Sequence, residues 1–142
     1  MRPKKYWIIV ASRDHVQRGL QGGFMQANHG KAAALKRMQA GDGLLYYSSR
    51  EVYGEETKCQ RFTAIGEIAD DLIYQGEMGG GFVPFRRNVN YLPCQEISIL
   101  PLIGTLDYIK DKTHWGAPLR FGMVEIGEKD FQLIAEQMLE KL

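Results

Sequence analysis

The sequence has only two cysteines, Cys59 and Cys94, and neither belongs to a C-x-x-C pair or a cluster with histidine. That spacing argues against a zinc site and assigns no disulfide bridge. The three histidines, His15, His29 and His114, show no H-x-x-x-H spacing, and there is no G-x-S-x-G elbow; the common zinc-hydrolase and serine-hydrolase signatures are therefore missing. Ser12, Asp14 and His15 do not make a triad, because residues this close at a helix start cannot meet as nucleophile, base and orienter. Gly76 to Gly81 is glycine-rich but lacks the Gly-Lys-Ser or Gly-Lys-Thr of a phosphate loop, which leaves a flexible hairpin connection. No apolar run approaches the roughly 18 residues of a spanning helix, and charge returns soon after the opening YWIIVA. The expectation is a cytoplasmic protein with both thiols reduced, no export signal, no membrane contact, no metal and no cofactor.

What is present fits one ordinary domain over residues 1–142, long enough to bury about two-thirds of its unfolded surface unaided. Hydrophobic content of 44% and charged content of 25% are those of a globular chain. The net charge of +1 hides an uneven distribution: Met1 to Ala40 carries eight bases against Asp14 alone, or +7, and the remainder carries −6. Such a chain can turn a basic face toward an anionic partner while staying nearly neutral overall.

Tyr6 to Ala11 (YWIIVA) reads as a central strand buried on both faces. Ser12 is placed to cap a helix over Arg13 to Gln21, and a second, alanine-rich helix is predicted over Lys31 to Gln39 with Leu35 and Met38 inward. The turn Gly41-Asp42-Gly43 leads into a strand at Leu44 to Ser48. Arg61 to Ala69 alternates, placing Phe62, Ala64, Gly66 and Ile68 on one face. Phe82 to Leu92 resumes strand character, with the adjacent Arg86 and Arg87 on opposite faces, so one of them can point inward. Gln95 to Leu100 and Leu119 to Ile126 are further strand candidates. The last helix is marked by Phe131, Ile134, Ala135, Met138 and Leu142, with Gly127 as N-cap and an Ile126–Phe131 staple. Irregular strand spacing does not suit a βαβ repeat. It predicts an α+β fold: a small curved or closed sheet of five to six strands, two helices after the first strand and one at the end.

The chain is organised around Gly22 to Ser48, GGFMQANHGKAAALKRMQAGDGLLYYS. A glycine turn, a polar and aromatic loop, a basic helix and a strand with two adjacent tyrosines predict a pocket for a flat, polar ligand. Free backbone N–H groups after Asn28-His29-Gly30 would add an anion or carbonyl-oxygen site.

Taken with YWIIVASRDHV, FTAIGEI, FVPFRRNVNY and HWGAPLRFGMVEI, this stretch resembles the EVE-domain family, part of the PUA-like group of small barrels and related to YTH domains. The resemblance covers nearly the whole chain. It implies a PUA-like pseudobarrel whose pocket accepts one nucleobase, often a modified one, flipped out of RNA or DNA. In relatives a tryptophan tends to occupy the pocket wall where this chain has Phe24. On that reading the partner is nucleic acid carrying a modified base, of methylated cytosine or adenine type, and the module does no chemistry.

A flipped base needs a flat slot, hydrogen-bonding groups for its edge and a positive rim for phosphate. Phe24, Tyr46 or Tyr47, and Trp115 are the candidate walls, with at most one of the neighbouring tyrosines facing inward. Ser12, Gln26, Asn28 and Ser48, with backbone amides near Gly30, are the candidates for edge recognition. Lys31, Lys36, Arg37, Arg86 and Arg87 would form the phosphate rim. For any one aromatic the competing assignment is core packing, and for Ser12 and Asn28 it is capping. Two other functions use the same residues: an enzyme acting on a nucleoside or nucleotide, with Cys59 or Cys94 as a possible nucleophile, or a small-ligand or protein-interaction module.

Overall fold

The computed structural model describes residues 2–26 and 32–139. The apolar opening run forms strand β1 (Tyr6–Val10). It lies between a parallel neighbour, β3 (Gly43–Arg50), and an antiparallel one, β7 (Met123–Ile126). Trp7 and Ile9 enter one core cluster and Ile8 the other, so the absence of polar alternation in β1 reflects cover on both faces.

Between β1 and β3 come helix α1 (Arg13–Gly22) and a three-residue strand, β2 (Phe24–Gln26). After β3 the chain forms the long β4 (Lys58–Gln75), β5 (Phe85–Tyr91), the short β6 (Ile97–Ser98), β7 and helix α2 (Glu128–Leu139). Hydrogen bonding orders the sheet β2-β5-β4-β3-β1-β7, with β6 added against the start of β4. The fold is α+β, as the sequence predicts, with seven strands instead of five or six and two α-helices among the described residues.

The second helix expected after β1 is replaced, in its described part, by a single 3-10 turn at Leu35–Arg37. Alanine favours a helix only weakly. Here Leu35 and Met38 are both buried, and their carbonyls accept from Arg87 Nη1 at 3.0 and 2.7 Å. Tertiary contacts thus claim the groups a longer helix would use, and the chain turns extended at Met38. The strand expected over Leu119 to Ile126 begins only at Met123, because Ala117–Phe121 is a 3-10 turn ended by Gly122 at φ 79°. Gly122 thus ends the turn and delays the strand.

β4 departs from simple alternation. Tyr46 pairs with Ala64 but Tyr47 pairs with Phe62, so Thr63 is an extra residue. The bulge turns Phe62 into the cluster with Ile8 and Leu45, while Ala64 and Ile68 stay in the cluster with Trp7 and Leu44. The expected common face for Phe62, Ala64 and Ile68 is broken for this reason. Thr63 Oγ1 shares a buried hydrogen bond of 2.8 Å with Ser48 Oγ. Ser48→Ala alone should cost about 1–2 kcal/mol, because it strands the Thr63 hydroxyl. Combined with Thr63→Val it should cost less than the two single losses together, which a urea double-mutant cycle measures.

α2 begins after Gly127, and Phe131 N–H donates to Gly127 O at 3.2 Å. Ile126 and Phe131 lie in one core cluster, as the staple spacing predicts. α2 places Ile134, Ala135 and Met138 on that same side of the sheet, leaving the opposite side to α1 and the connections around β2.

Candidate functional site

The end of β1, one side of α1 and the edge strand β2 meet around a cavity of about 370 Å³. That volume is within the range of small-molecule sites. Its lining includes Ala11, Ser12, His15, Arg18, Phe24, Gln26, Tyr46, Tyr53, Met78, Phe82 and Arg86.

Close packing fixes the inner wall. A Cβ on Gly19 would lie 2.6 Å from Phe24 O, and one on Gly22 would lie 2.2 Å from the Phe24 ring. The two glycines let α1 settle directly on β2, and Gly23, at φ 71°, caps the helix and turns the chain into that strand. Tyr91 Oη donates to Phe24 O at 2.9 Å, and β2 pairs with β5 so that Gln26 stands opposite Arg86. Phe24 is therefore held by helix, strand and side chain together.

Arg86 is clamped on three sides. Its Nε donates to Gln26 Oε1 at 2.8 Å, and its guanidinium carbon lies 4.0 Å from the centre of the Phe24 ring. A Cβ on Gly76 would come within 2.3 Å of its Nη1. Tyr46 sits deeper. Burial holds its phenol well above the usual range.

The mouth is built by two connections. Tyr53, 71% exposed, stacks on His15 with ring centres 5.3 Å apart and planes 12° from parallel. Ser12 is the N-cap residue of α1, but its hydroxyl donates to Asp14 Oδ1 at 2.5 Å and makes no cap bond. Burial opposes the charge on Asp14, yet the hydrogen bonds from Ser12 and from the His15 and Tyr53 backbone prevail and hold the carboxyl below its ordinary range. Opposite, Met78 and Phe82 come from the glycine-rich hairpin, where Gly79, Gly80 and Gly81 have φ of 98°, 61° and 81°. Met78 N–H donates to Phe82 O at 2.9 Å, closing that turn.

Of the residues expected at the site, the structure brings Ser12, Phe24, Gln26 and Arg86 to one cavity. Asn28, Gly30 and Lys31 lie outside the described residues. Tyr46 lines the cavity and Tyr47 does not: Tyr47 points to the other face of the sheet, edge-on to Phe62 with ring centres 5.7 Å apart. Ser48 is fully buried against Thr63, which removes it from any ligand edge. Trp115 packs against the cluster that holds Tyr47, so the expected slot between Phe24 and Trp115 is not formed. Lys36 and Arg37 are exposed outside the cavity lining, and the Arg37 guanidinium lies over the Trp7 ring at 5.1 Å. Arg87 is 2% exposed and donates to the carbonyls of Leu35, Met38 and Asp70, so it is a structural strut and cannot reach a phosphate.

His15, Arg18, Gly19, Tyr53, Met78 and Phe82 are among the lining residues that sequence reasoning missed. His15, Arg18 and Gly19 carried a usable signal, since positions three and four apart share a helix face. Tyr53 and the glycine hairpin carried none, because only the tertiary fold brings them over α1. Among the described residues there is no group of three or more His, Cys, Asp or Glu that could hold a metal ion. Nor is any described helix long and apolar enough to cross a membrane.

The model of the EVE domain matches residues 5–137. The chain belongs to the EVE-domain family. This EVE domain is 53% identical over 135 residues to a UPF0310 protein of Mesorhizobium japonicum, covering 94% of this chain and 91% of that one. It is 48% identical over 137 residues to a UPF0310 protein of Bacillus licheniformis, with 96% and 93% covered. Among solved structures, a hypothetical protein from Leishmania major shares the fold at a TM-score of 0.60 and 10% identity, covering 94% of both chains. The YTH domain of Pho92, in complex with m6A, does so at a TM-score of 0.57 and 18% identity, covering 96% of this EVE domain and 84% of that chain. The likeness to YTH domains expected from the sequence is thus found at the level of fold.

Proposed function

We propose that this EVE domain is a non-catalytic nucleic-acid-binding module that takes one modified base into the cavity beside Phe24. The observation that carries the reading is the meeting, in one cavity, of aromatic walls (Phe24, Tyr46, Tyr53, Phe82) with two arginines, Arg18 and Arg86. Ring faces hold a planar guest by stacking, Arg86 on the Phe24 ring faces that guest directly, and the exposed Arg18 suits a flanking phosphate. Gln26 and the Tyr46 hydroxyl add directional groups for the base edge. The Pho92 YTH domain in complex with m6A is a precedent on the same fold.

Catalysis has less to work with. Burial, then the neighbouring Glu51, pushes the Cys59 thiol up to about 11, and burial also raises Cys94. Both stay protonated at neutral pH and are poor nucleophiles.

Fluorescence anisotropy with short RNA and DNA strands, each carrying one methylated or unmodified base, tests the proposal. Saturable binding that prefers a modified strand is expected. Phe82→Ala should weaken it by roughly 5- to 150-fold, the equivalent of about 1–3 kcal/mol of stacking per base, and Phe24→Ala should weaken it by releasing Arg86 from the ring on which it rests. Phe82 is exposed on its turn, so its variant reports on binding with little risk to folding. Absence of saturable binding to every strand would end this reading, as would conversion of the nucleosides on long incubation.

A further inference from the structure

Two facts about the cavity bear on what charge its guest can carry. The first is that its lining contains arginines but no carboxylate. The acids nearest in sequence are turned to other uses: Asp14 Oδ1 accepts from Ser12 Oγ and from Tyr53 N–H at 3.3 Å, and Glu77, beside Met78, is exposed.

The second is the state of Arg86. Its Nε is used by Gln26, its flat face rests on Phe24, and Gly76 leaves room for it where any side chain would collide. Its terminal nitrogens nevertheless hydrogen-bond to no described residue and pair with no described acid. A guanidinium held in one place, with neither terminal nitrogen engaged by a described residue, is a rigid fork for acceptors lying in its plane. It also covers the Phe24 ring, so a guest meets the guanidinium plane before the phenyl face.

Resting on the base-reading proposal, we infer that Arg86 makes this cavity charge-selective: it admits bases that are neutral or anionic, and it rejects bases alkylated into fixed cations. Like charge at contact distance in a partly enclosed site opposes entry, and no carboxylate is placed to relieve it.

Positional isomers of methylated bases test this directly, because moving the one methyl group onto a ring nitrogen makes the base hold a proton and a positive charge. Short strands carrying N6-methyladenine (neutral) or 1-methyladenine (cationic), and 5-methylcytosine (neutral) or 3-methylcytosine (cationic), are titrated against the wild-type domain by fluorescence anisotropy. In whichever pair binds, the neutral isomer should bind at least about tenfold more tightly. Arg86→Gln should bring that ratio toward one by improving binding of the cation, whereas Arg86→Lys should keep the rejection and weaken the neutral isomer. Thermal melts establish that both variants fold. Equal or tighter binding of the cationic isomer overturns the inference and leaves the base-reading proposal standing. So does a ratio unchanged in Arg86→Gln, since the exclusion would then be one of shape. If none of the four strands binds, both the base-reading proposal and this inference fall.

Discussion

Asp42→Ala should lower the melting temperature of this EVE domain by roughly 10–15 °C, the equivalent of about 3–5 kcal/mol. Asp42 sits in the turn before β3 with none of its surface exposed, yet its carboxylate accepts from four separate places. Arg2 Nη1 and Nη2 donate to it at 3.0 and 2.7 Å, Trp7 Nε1 at 2.9 Å, and the backbone N–H groups of Lys5 and Gln39 at 3.1 and 3.0 Å. Removing it strands a buried indole N–H and two backbone donors, and stranding such groups costs more than the bonds themselves gain. Burial works against the charge on Asp42, but the hydrogen bonds from Arg2, Trp7 and the backbone outweigh it, so its pKa is lowered on folding. The stability it contributes is therefore fully present above the unfolded carboxyl value, about 3.9, and is lost as pH falls through the lower folded value. In Asp42→Asn the acid limb of a stability–pH curve should flatten. An acid limb identical to wild type would show that other carboxylates govern acid unfolding.

Arg87→Met should be comparably damaging, at about 3–5 kcal/mol by urea unfolding. In β4, Ile68 pairs with Val89 and Ile73 with Arg87, so four residues loop out opposite one. Arg87 fills the base of that loop, bonding Asp70 O as well as the carbonyls of Leu35 and Met38. It joins the outgrowth of β4 to the 3-10 turn ahead of β3. Methionine fills part of the volume but leaves buried carbonyls without donors. The effect should fall on stability, with base binding at low temperature retained, because Arg87 is absent from the cavity lining. Loss of binding in a variant that still melts cooperatively near the wild-type temperature would contradict the strut assignment.

These two residues mark where the sequence could be read and where it could not. β1, α1 and α2 follow from periodicity and capping, which are properties of neighbours in the chain. β2 did not, since three residues carry no period, and Phe24 to Gln26 become a strand only through pairing with β5. The adjacency of Arg86 and Arg87 correctly predicts opposite faces, but not which one is sealed. That depends on the carbonyls of Leu35, Met38 and Asp70, distant in sequence. Tyr46 and Tyr47 pose the same problem, settled by the clusters that form on either side of β3. Trp115 is a candidate wall by its aromatic ring alone, and the fold packs it instead against the core cluster that holds Tyr47.

The supernumerary Thr63 can also be viewed as a phase marker for β4. Side chains on either side of it obey opposite parity, and excising that one residue would leave Phe62 directly beside Ala64 on a regular ladder, still opposite Tyr47 and still on the face it now occupies. Loss of Thr63 would thus remove its hydrogen bond to Ser48 without changing which core either half of the strand meets, whereas removing any other single residue from the paired stretch would turn one half over.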